Sequence, residues 1–269
     1  MPSESLRDRT FKERSLRGSR FVGCDFGGVV VRGSDVSGME IDSPWLMESG
    51  NRLLVNGIDV VPIVDAALNR QFPGRELRHA TDPDGLRAAW AAIEQTWAAT
   101  LARVDAMPAG TIDASVDDEW SVAQTLRHLV MATDTWLGRA VLELENPYHP
   151  AGLPHDDTDT EAYDPAVFSD PTPSHAVVFQ ARAARQAMVR DFLATVTEAD
   201  LAAPRRNPHA PAYPESVLSC LHTILDEEWE HHRYAVRDLA ALTAAADARE
   251  AGTAETAGTA EAAGTAEAP

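Results

Sequence analysis

The sequence predicts a mainly α-helical protein in which a four-helix bundle follows a short structure built from five-residue repeats. Between residues 81 and 247, apolar residues recur in four segments at helical spacing, in steps of three and four positions. Between residues 6 and 41 they recur every five positions, a period that belongs neither to a helix nor to a flat strand. We therefore place repeats in residues 1–43, a connecting module in 44–80, the bundle in 81–247 and a tail in 248–269.

The first 43 residues contain eight five-residue units. Small or polar residues, such as Ser15 and Asp25, tend to precede the central apolar residue of a unit. The segment resembles the pentapeptide-repeat family, and the resemblance implies a square, right-handed β-helix with four repeats per coil. Two such coils bury little apolar surface and need a neighbour, so we expect a packing cap. The central residues are Leu6, Phe11, Leu16, Phe21, Phe26, Val31, Val36 and Ile41.

The charges of these repeats bear on their role. Some pentapeptide-repeat proteins imitate DNA, and a DNA mimic carries an excess of negative charge. Here seven basic residues balance seven acidic ones. A cap on the rest of the chain is therefore favoured over DNA mimicry, and the same repeats can serve a homodimer or a protein partner.

The connecting module combines a hairpin with a short helix. Asn56-Gly57 is a hairpin turn signal that separates residues 53–55 from residues 59–61. Pro62 then opens a helical pattern that ends by Pro73-Gly74.

Each of the four bundle helices has a start signal. The second opens with a capping box, and we expect it to reach about Glu145. The starts are Asp82-Pro83, Ser121 with Gln124, Pro173 and Pro214.

A long connection and a tail complete the sequence. Residues 146–173 are rich in Pro and Asp, which is typical of a lid or of the crossover of a bundle. His149 and His155 lie there beside Asp156 and Asp157 and could close over a site, although a solvated loop is the preferred interpretation. From about residue 248 the chain repeats Ala, Gly, Thr and Glu, which predicts disorder.

The last helix carries two ionisable residues on its apolar face. Glu228 and His232 occupy this face one turn apart, which is costly unless they are paired, protonated or bound to a metal. Two interpretations stay open, a buried Glu–His hydrogen bond and a pair of metal ligands. Glu227 and His231 form a second pair to one side of the face, where a structural role is expected for His231. The face reads Leu218, Leu221, Leu225, Glu228, His232, Ala235, Leu239 and Leu242.

Residues 81–245 resemble the DinB/YfiT-like family of metalloenzymes. The resemblance rests on the segment Trp120 to Leu129 and on the segment Glu228 to Tyr234. In that family a histidine on the second helix and two residues four apart on the last helix bind a divalent metal. The Glu-x-x-x-His form of the last pair occurs in the mycothiol-dependent maleylpyruvate isomerase branch. The resemblance thus implies His128, Glu228 and His232 as ligands, although His128 lies nearly opposite the apolar face of its own helix.

The resemblance also implies a function. Three protein ligands leave a coordination position open, which is typical of catalytic zinc. We expect Zn²⁺, with Ni²⁺ as the alternative ion, and a low-molecular-weight thiol such as mycothiol or bacillithiol in a transferase or isomerase reaction on a small molecule. The rival hypothesis is a non-catalytic, metal-stabilised scaffold whose repeats bind a protein. Arg237 and Tyr234 could contact an anionic substrate, but a surface pair of Arg237 with Asp238 or Glu230 is preferred.

Composition excludes several classes of function for this 269-residue chain. The net charge of −19 argues against non-specific binding to nucleic acid or to an anionic membrane. No segment has the roughly 20 apolar residues of a membrane span. Cys24 and Cys220 are the only cysteines, and they are far apart in sequence. We therefore expect a cytoplasmic protein without a disulfide framework, in which Cys220 is a small packing residue.

Overall fold

A computed structural model describes residues 5–48, 50–154 and 163–264 of the chain, with side chains described as far as residue 249. Two compact units are divided after Ser43. The connecting module therefore shares a unit with the helices that follow it.

The described part of the first unit has a five-residue backbone period. Positive φ angles recur at every fifth residue, and glycine, which adopts them without steric cost, occupies five of these seven positions. The eight central apolar side chains are 50–59% exposed. Residues 5–43 form no β-strand with regular ladder hydrogen bonds, so the right-handed β-helix stays a prediction. The residues with positive φ are Asp8, Glu13, Gly18, Gly23, Gly28, Gly33 and Gly38.

The second unit is mainly helical, as the sequence predicts. Four long helices pack around one apolar core in which Trp90, Trp97 and Trp229 are fully buried. The helices are α1 (Val61–Gln71), α2 (Pro83–Asp105), α3 (Val122–Thr133), α4 (His175–Thr195), α5 (Glu198–Leu201) and α6 (Val217–Gly264). A π-helical segment, Asp134–Val141, continues α3. Short 3₁₀ helices span Pro44–Met47, Arg75–His79, Thr111–Asp113 and Pro165–Phe168.

Four two-residue strands in the described residues form two antiparallel pairs. β1 (Leu54–Val55) pairs with β2 (Ile58–Asp59) across the positive-φ turn at Asn56-Gly57, which confirms the predicted hairpin. β3 (Pro204–Arg205) pairs with β4 (Glu215–Ser216). Because residues 215–216 form this second pair, α6 begins at Val217 and not at Pro214 as predicted.

The predicted helix starts of α2 and α3 are confirmed. The Asp82 carboxylate accepts a hydrogen bond from the Gly85 backbone N–H at 2.9 Å. Ser121 and Gln124 form the reciprocal capping box. The second helix ends at Val141, short of the predicted Glu145.

The connecting module is fastened to α6 by two buried arginines. The Asp65 Oδ1 atom lies 2.8 Å from both Arg75 Nη1 and Arg78 Nη2. Arg78 also pairs with Asp226 at 3.3 Å, and Arg75 lies 3.7 Å from Glu230. Burial alone would raise the pKa of Asp65, but its hydrogen bond from Arg75 and the charge of Arg78 lower it below its usual value.

The long connection between α3 and α4 is also held by charged side chains. The buried Arg127 guanidinium donates to the backbone carbonyls of Ala151 (3.0 Å), Pro171 (2.8 Å) and Asp170 (3.3 Å). Arg127 thus connects both ends of this segment to α3. His155, Asp156 and Asp157 lie outside the described residues, and so does the solvated loop expected for them.

The predicted disorder of residues 248–269 stays a prediction. The backbone of α6 remains helical to Gly264. Alanine and glutamate favour helix, and extending an existing helix avoids the cost of nucleation. Residues 265–269 lie outside the described part. None of the described helices combines the length and apolarity that a membrane crossing requires.

Candidate metal centre

Glu228 and His232 lie inside the bundle, as their position on the apolar face of α6 predicts. The Glu228 carboxylate is 1% exposed, and its Oε2 atom lies 2.5 Å from Nη2 of Arg182 on α4, which is 4% exposed. The His232 Nε2 atom lies 2.8 Å from Thr100 Oγ1 on α2. Burial lowers the pKa of His232 to about 4, so its imidazole is neutral at pH 7. The two residues therefore form separate polar contacts and no Glu–His hydrogen bond to each other.

A different pair on α6 meets His128. The Glu227 Oε2 atom lies 3.3 Å from His128 Nε2 and 3.2 Å from His231 Nε2. One ligand atom from each of these three residues lies within 4.8 Å of the others. We call His128, Glu227 and His231 the metal triad.

The sequence-predicted ligand set is not brought together. Of its members only His128 belongs to the metal triad, and Glu228 and His232 face the core instead. The physical reason is that successive residues of a helix point about 100° apart. Glu228 and His232 therefore face the core, whereas Glu227 and His231, each one residue earlier, face α3.

The helix geometry explains how the triad forms. Glu227 and His231 are four residues apart, so their side chains lie on one face of α6, one turn apart. His128 comes from the neighbouring α3. Its Nδ1 atom lies 3.1 Å from the carbonyl oxygen of Leu153. A carbonyl only accepts, so Nδ1 donates in this contact and Nε2 is directed toward Glu227, as in metal-binding histidines.

The electrostatics of the triad favour an ionised carboxylate. Burial alone would raise the pKa of Glu227, but the hydrogen bonds from His128 and His231 outweigh it and hold this pKa well below its usual range. The donor set of two imidazole nitrogens and one carboxylate oxygen suits Zn²⁺ and other borderline divalent ions. The three residues therefore fit a metal site that leaves a further position open.

The other residues considered from the sequence have structural contacts. Arg237 pairs with Asp238 at 2.8 Å and with Glu119, which confirms the expected partner, although Asp238 is buried and not at the surface. Cys220 is fully buried, and burial raises its pKa to about 11, in keeping with a packing role. The His149 Nδ1 atom accepts from the Ala151 backbone N–H at 3.0 Å, outside the metal triad.

Sequence reasoning did not identify Arg182 or Arg127, because their partners lie far along the chain. Arg182 and Glu228 are 46 residues apart, and Arg127 contacts carbonyls 24 to 44 residues away. The sequence shows only that a charged residue occupies each of these helix positions. Such a residue needs a polar partner if it is buried, but the sequence does not identify which residue that partner is.

Comparison with known proteins assigns the chain to a family. Neither the curated proteins nor the solved structures gave a match to this chain. The sequence model of the DinB superfamily matches residues 92–235, which is more than half of the chain and includes all three residues of the metal triad. On this match, and with the candidate His/Glu metal site in place, the chain belongs to the DinB superfamily.

Proposed function

We propose that this protein binds one divalent metal ion through His128 Nε2, the Glu227 carboxylate and His231 Nε2. The observation that carries the proposal is the convergence of these three ligand atoms within 4.8 Å. The orientation of His128 by the Leu153 carbonyl supports it, because metal-binding histidines commonly donate their second ring N–H to such an acceptor. Zn²⁺ is the expected ion, and Ni²⁺ is the alternative.

We further propose a thiol-dependent transferase or isomerase reaction on a small molecule. A divalent ion at this site supplies Lewis acidity that lowers the pKa of a thiol or water ligand. The chain orients the His128 ring through the Leu153 carbonyl, so that Nε2 faces the site, and Glu227 supplies a carboxylate oxygen beside it. The resemblance to the mycothiol-dependent branch of the family suggests a mycothiol-type thiol as co-substrate.

Titration with Co²⁺ tests the metal site. The unaltered protein should bind one equivalent and develop the visible absorption of a cobalt ion with nitrogen and oxygen ligands. Glu227→Ala and His231→Ala should lose this absorption. His222→Ala is the matched control, since His222 lies on the same helix but contacts the Ala80 carbonyl. Equal binding by all four proteins would overturn the site.

Addition of a thiol to the cobalt-loaded protein tests the chemistry. A thiol that enters the open position should give the near-ultraviolet charge-transfer absorption of a cobalt–thiolate bond. Mycothiol and bacillithiol should be compared with a thioether analogue, which cannot form a thiolate. If neither thiol changes the spectrum, the thiol-dependent reaction is excluded while the metal site stands.

A second candidate function is that of a scaffold with a structural metal. It is favoured by the eight central apolar side chains of the repeats, each about half exposed. Sedimentation of the full chain against residues 44–269 tests it. A dimer that becomes a monomer on deletion would support interaction through the repeats, and two monomers would oppose a homodimer.

A further inference from the structure

The indole of Trp120 lies against both imidazoles of the metal triad. Its centroid is 4.8 Å from the ring of His128, with the planes at 42°, and 5.8 Å from the ring of His231, with the planes nearly parallel at 18°. The two imidazoles are themselves 4.7 Å apart. One aromatic ring thus contacts two of the three candidate ligands on two different helices.

The backbone on both sides of Trp120 is tied down. Glu119, directly before it, forms an ion pair with Arg237 on α6, and its carbonyl accepts from the Ser115 hydroxyl at 2.5 Å. Ser121, directly after it, is the N-cap of α3 and closes the capping box with Gln124. The contacts of Glu119 with α6 and of Ser121 with the first turn of α3 therefore fix the backbone on both sides of Trp120.

This placement has a physical consequence for the two imidazoles. A ring packed against a ligand restricts its rotation, so less conformational entropy is lost when an ion binds. A cation withdraws electrons from the imidazoles that hold it, and an electron-rich indole face attracts such rings, as in cation–π contacts. Both effects stabilise the ion-bound arrangement more than the ion-free one.

We propose that Trp120 is a positioning residue for the metal centre, which orients His128 and His231 for the ion and reports its presence by fluorescence. This inference rests on the proposed metal site. It goes beyond that site because it assigns a role to a side chain that offers no ligand atom. A purely structural tryptophan would contribute to folding but would leave metal affinity unchanged once the protein is folded.

The experiment is a Co²⁺ titration of the full chain, followed both by cobalt absorption and by tryptophan fluorescence. Trp120→Leu keeps an apolar side chain but removes the aromatic ring, and Trp120→Phe keeps a smaller aromatic ring. We expect the leucine variant to bind Co²⁺ about 10- to 100-fold more weakly, the range found when an outer partner of a metal ligand is removed. The phenylalanine variant should retain affinity to within a few-fold.

Fluorescence gives the independent readout. Bound Co²⁺ quenches a nearby indole, so the unaltered protein should lose part of its emission on titration. Trp136→Phe is the matched control, because Trp136 also lies beside a histidine, His209 at 5.5 Å, but outside the triad. This control should still show the quenching, whereas Trp120→Phe should bind Co²⁺ without it.

The outcomes distinguish a failure of the role proposed for Trp120 from a failure of the metal site itself. Equal affinity of the leucine variant and the unaltered protein would overturn the positioning role, and quenching that persists in Trp120→Phe would overturn the reporter role. If the leucine variant does not fold, the fluorescence comparison of the two phenylalanine variants still decides the reporter role, and a more than few-fold loss of Co²⁺ affinity in Trp120→Phe would overturn the statement that a smaller ring suffices. No cobalt absorption by the unaltered protein would instead overturn the metal site, and this inference with it.

Discussion

The pair formed by Arg182 and Glu228 allows a quantitative prediction about the bundle core. Both side chains are almost fully buried, at 4% and 1% exposure, and Arg182 Nη2 lies 2.5 Å from Glu228 Oε2. Glu228→Leu replaces the carboxylate with an apolar side chain of similar size and leaves the Arg182 charge in the core without its partner. Removing one member of such a pair costs about 3–5 kcal/mol of the free energy of unfolding.

The same cost should appear in the melting temperature. For a unit of this size each kcal/mol corresponds to about 2–4 °C, so Glu228→Leu should lower the melting temperature by about 6–20 °C. Urea unfolding monitored by circular dichroism gives the free energy directly. The double variant Arg182→Met with Glu228→Leu removes both charges and should recover most of the loss.

Two results would refute this reasoning. A single Glu228→Leu variant that loses less than about 1 kcal/mol would show that Arg182 is not stranded by the change. A double variant as unstable as the single one would show that the loss comes from packing and not from the unpaired charge. Metal affinity should stay within a few-fold throughout, because the Glu227 carboxylate is unchanged.

Three further predictions concern other parts of the second unit. Arg127→Leu removes the donor of three hydrogen bonds to loop carbonyls, so limited proteolysis should cleave residues 146–173 faster, and cleavage at the unaltered rate would contradict this. Asp65→Asn should lower the melting temperature at pH 7 more than Asp84→Asn, which changes an exposed carboxylate. The pKa of Asp65 is lowered from its usual value of 3.8, so the stability that Asp65 contributes is present above pH 3.8 and is lost as the pH falls through its lowered pKa. Deleting residues 250–269 should leave the melting temperature within about 1 °C, because that segment has no large apolar side chain to bury, and a larger fall would show that it packs.

Much of the fold could be predicted because local signals agree with the tertiary structure. Asp82 and Ser121 mark the N-caps of α2 and α3, and Asn56-Gly57 marks the hairpin. The end of the second helix was less predictable. The change from α to π geometry begins at Asp134, a buried residue that contacts Arg185 and the His149 backbone, both distant in sequence.

The candidate metal site shows how far sequence reasoning reached: His128 belongs to the group that the structure brings together, whereas Glu228 and His232 do not. The burial of Glu228 and His232 follows from their positions on the apolar face, but burial does not decide whether such groups ligate an ion or pair within the core. His128 lies nearly opposite the apolar face of α3, so it belongs to a flank of the bundle. If His128 is a ligand, the other ligands must lie on the side of α6 that faces it. Glu227 and His231 lie on that side.

The central claim is that the carboxylate of Glu227, and not that of Glu228, belongs to the metal centre. The most direct measurement is the zinc content and zinc affinity of Glu227→Gln and Glu228→Gln, each purified folded and compared with the unaltered protein. We predict that Glu228→Gln retains one equivalent of zinc with affinity within a few-fold, whereas Glu227→Gln loses the ion or binds it at least 10-fold more weakly. Retention of zinc by Glu227→Gln together with its loss from Glu228→Gln would contradict the account.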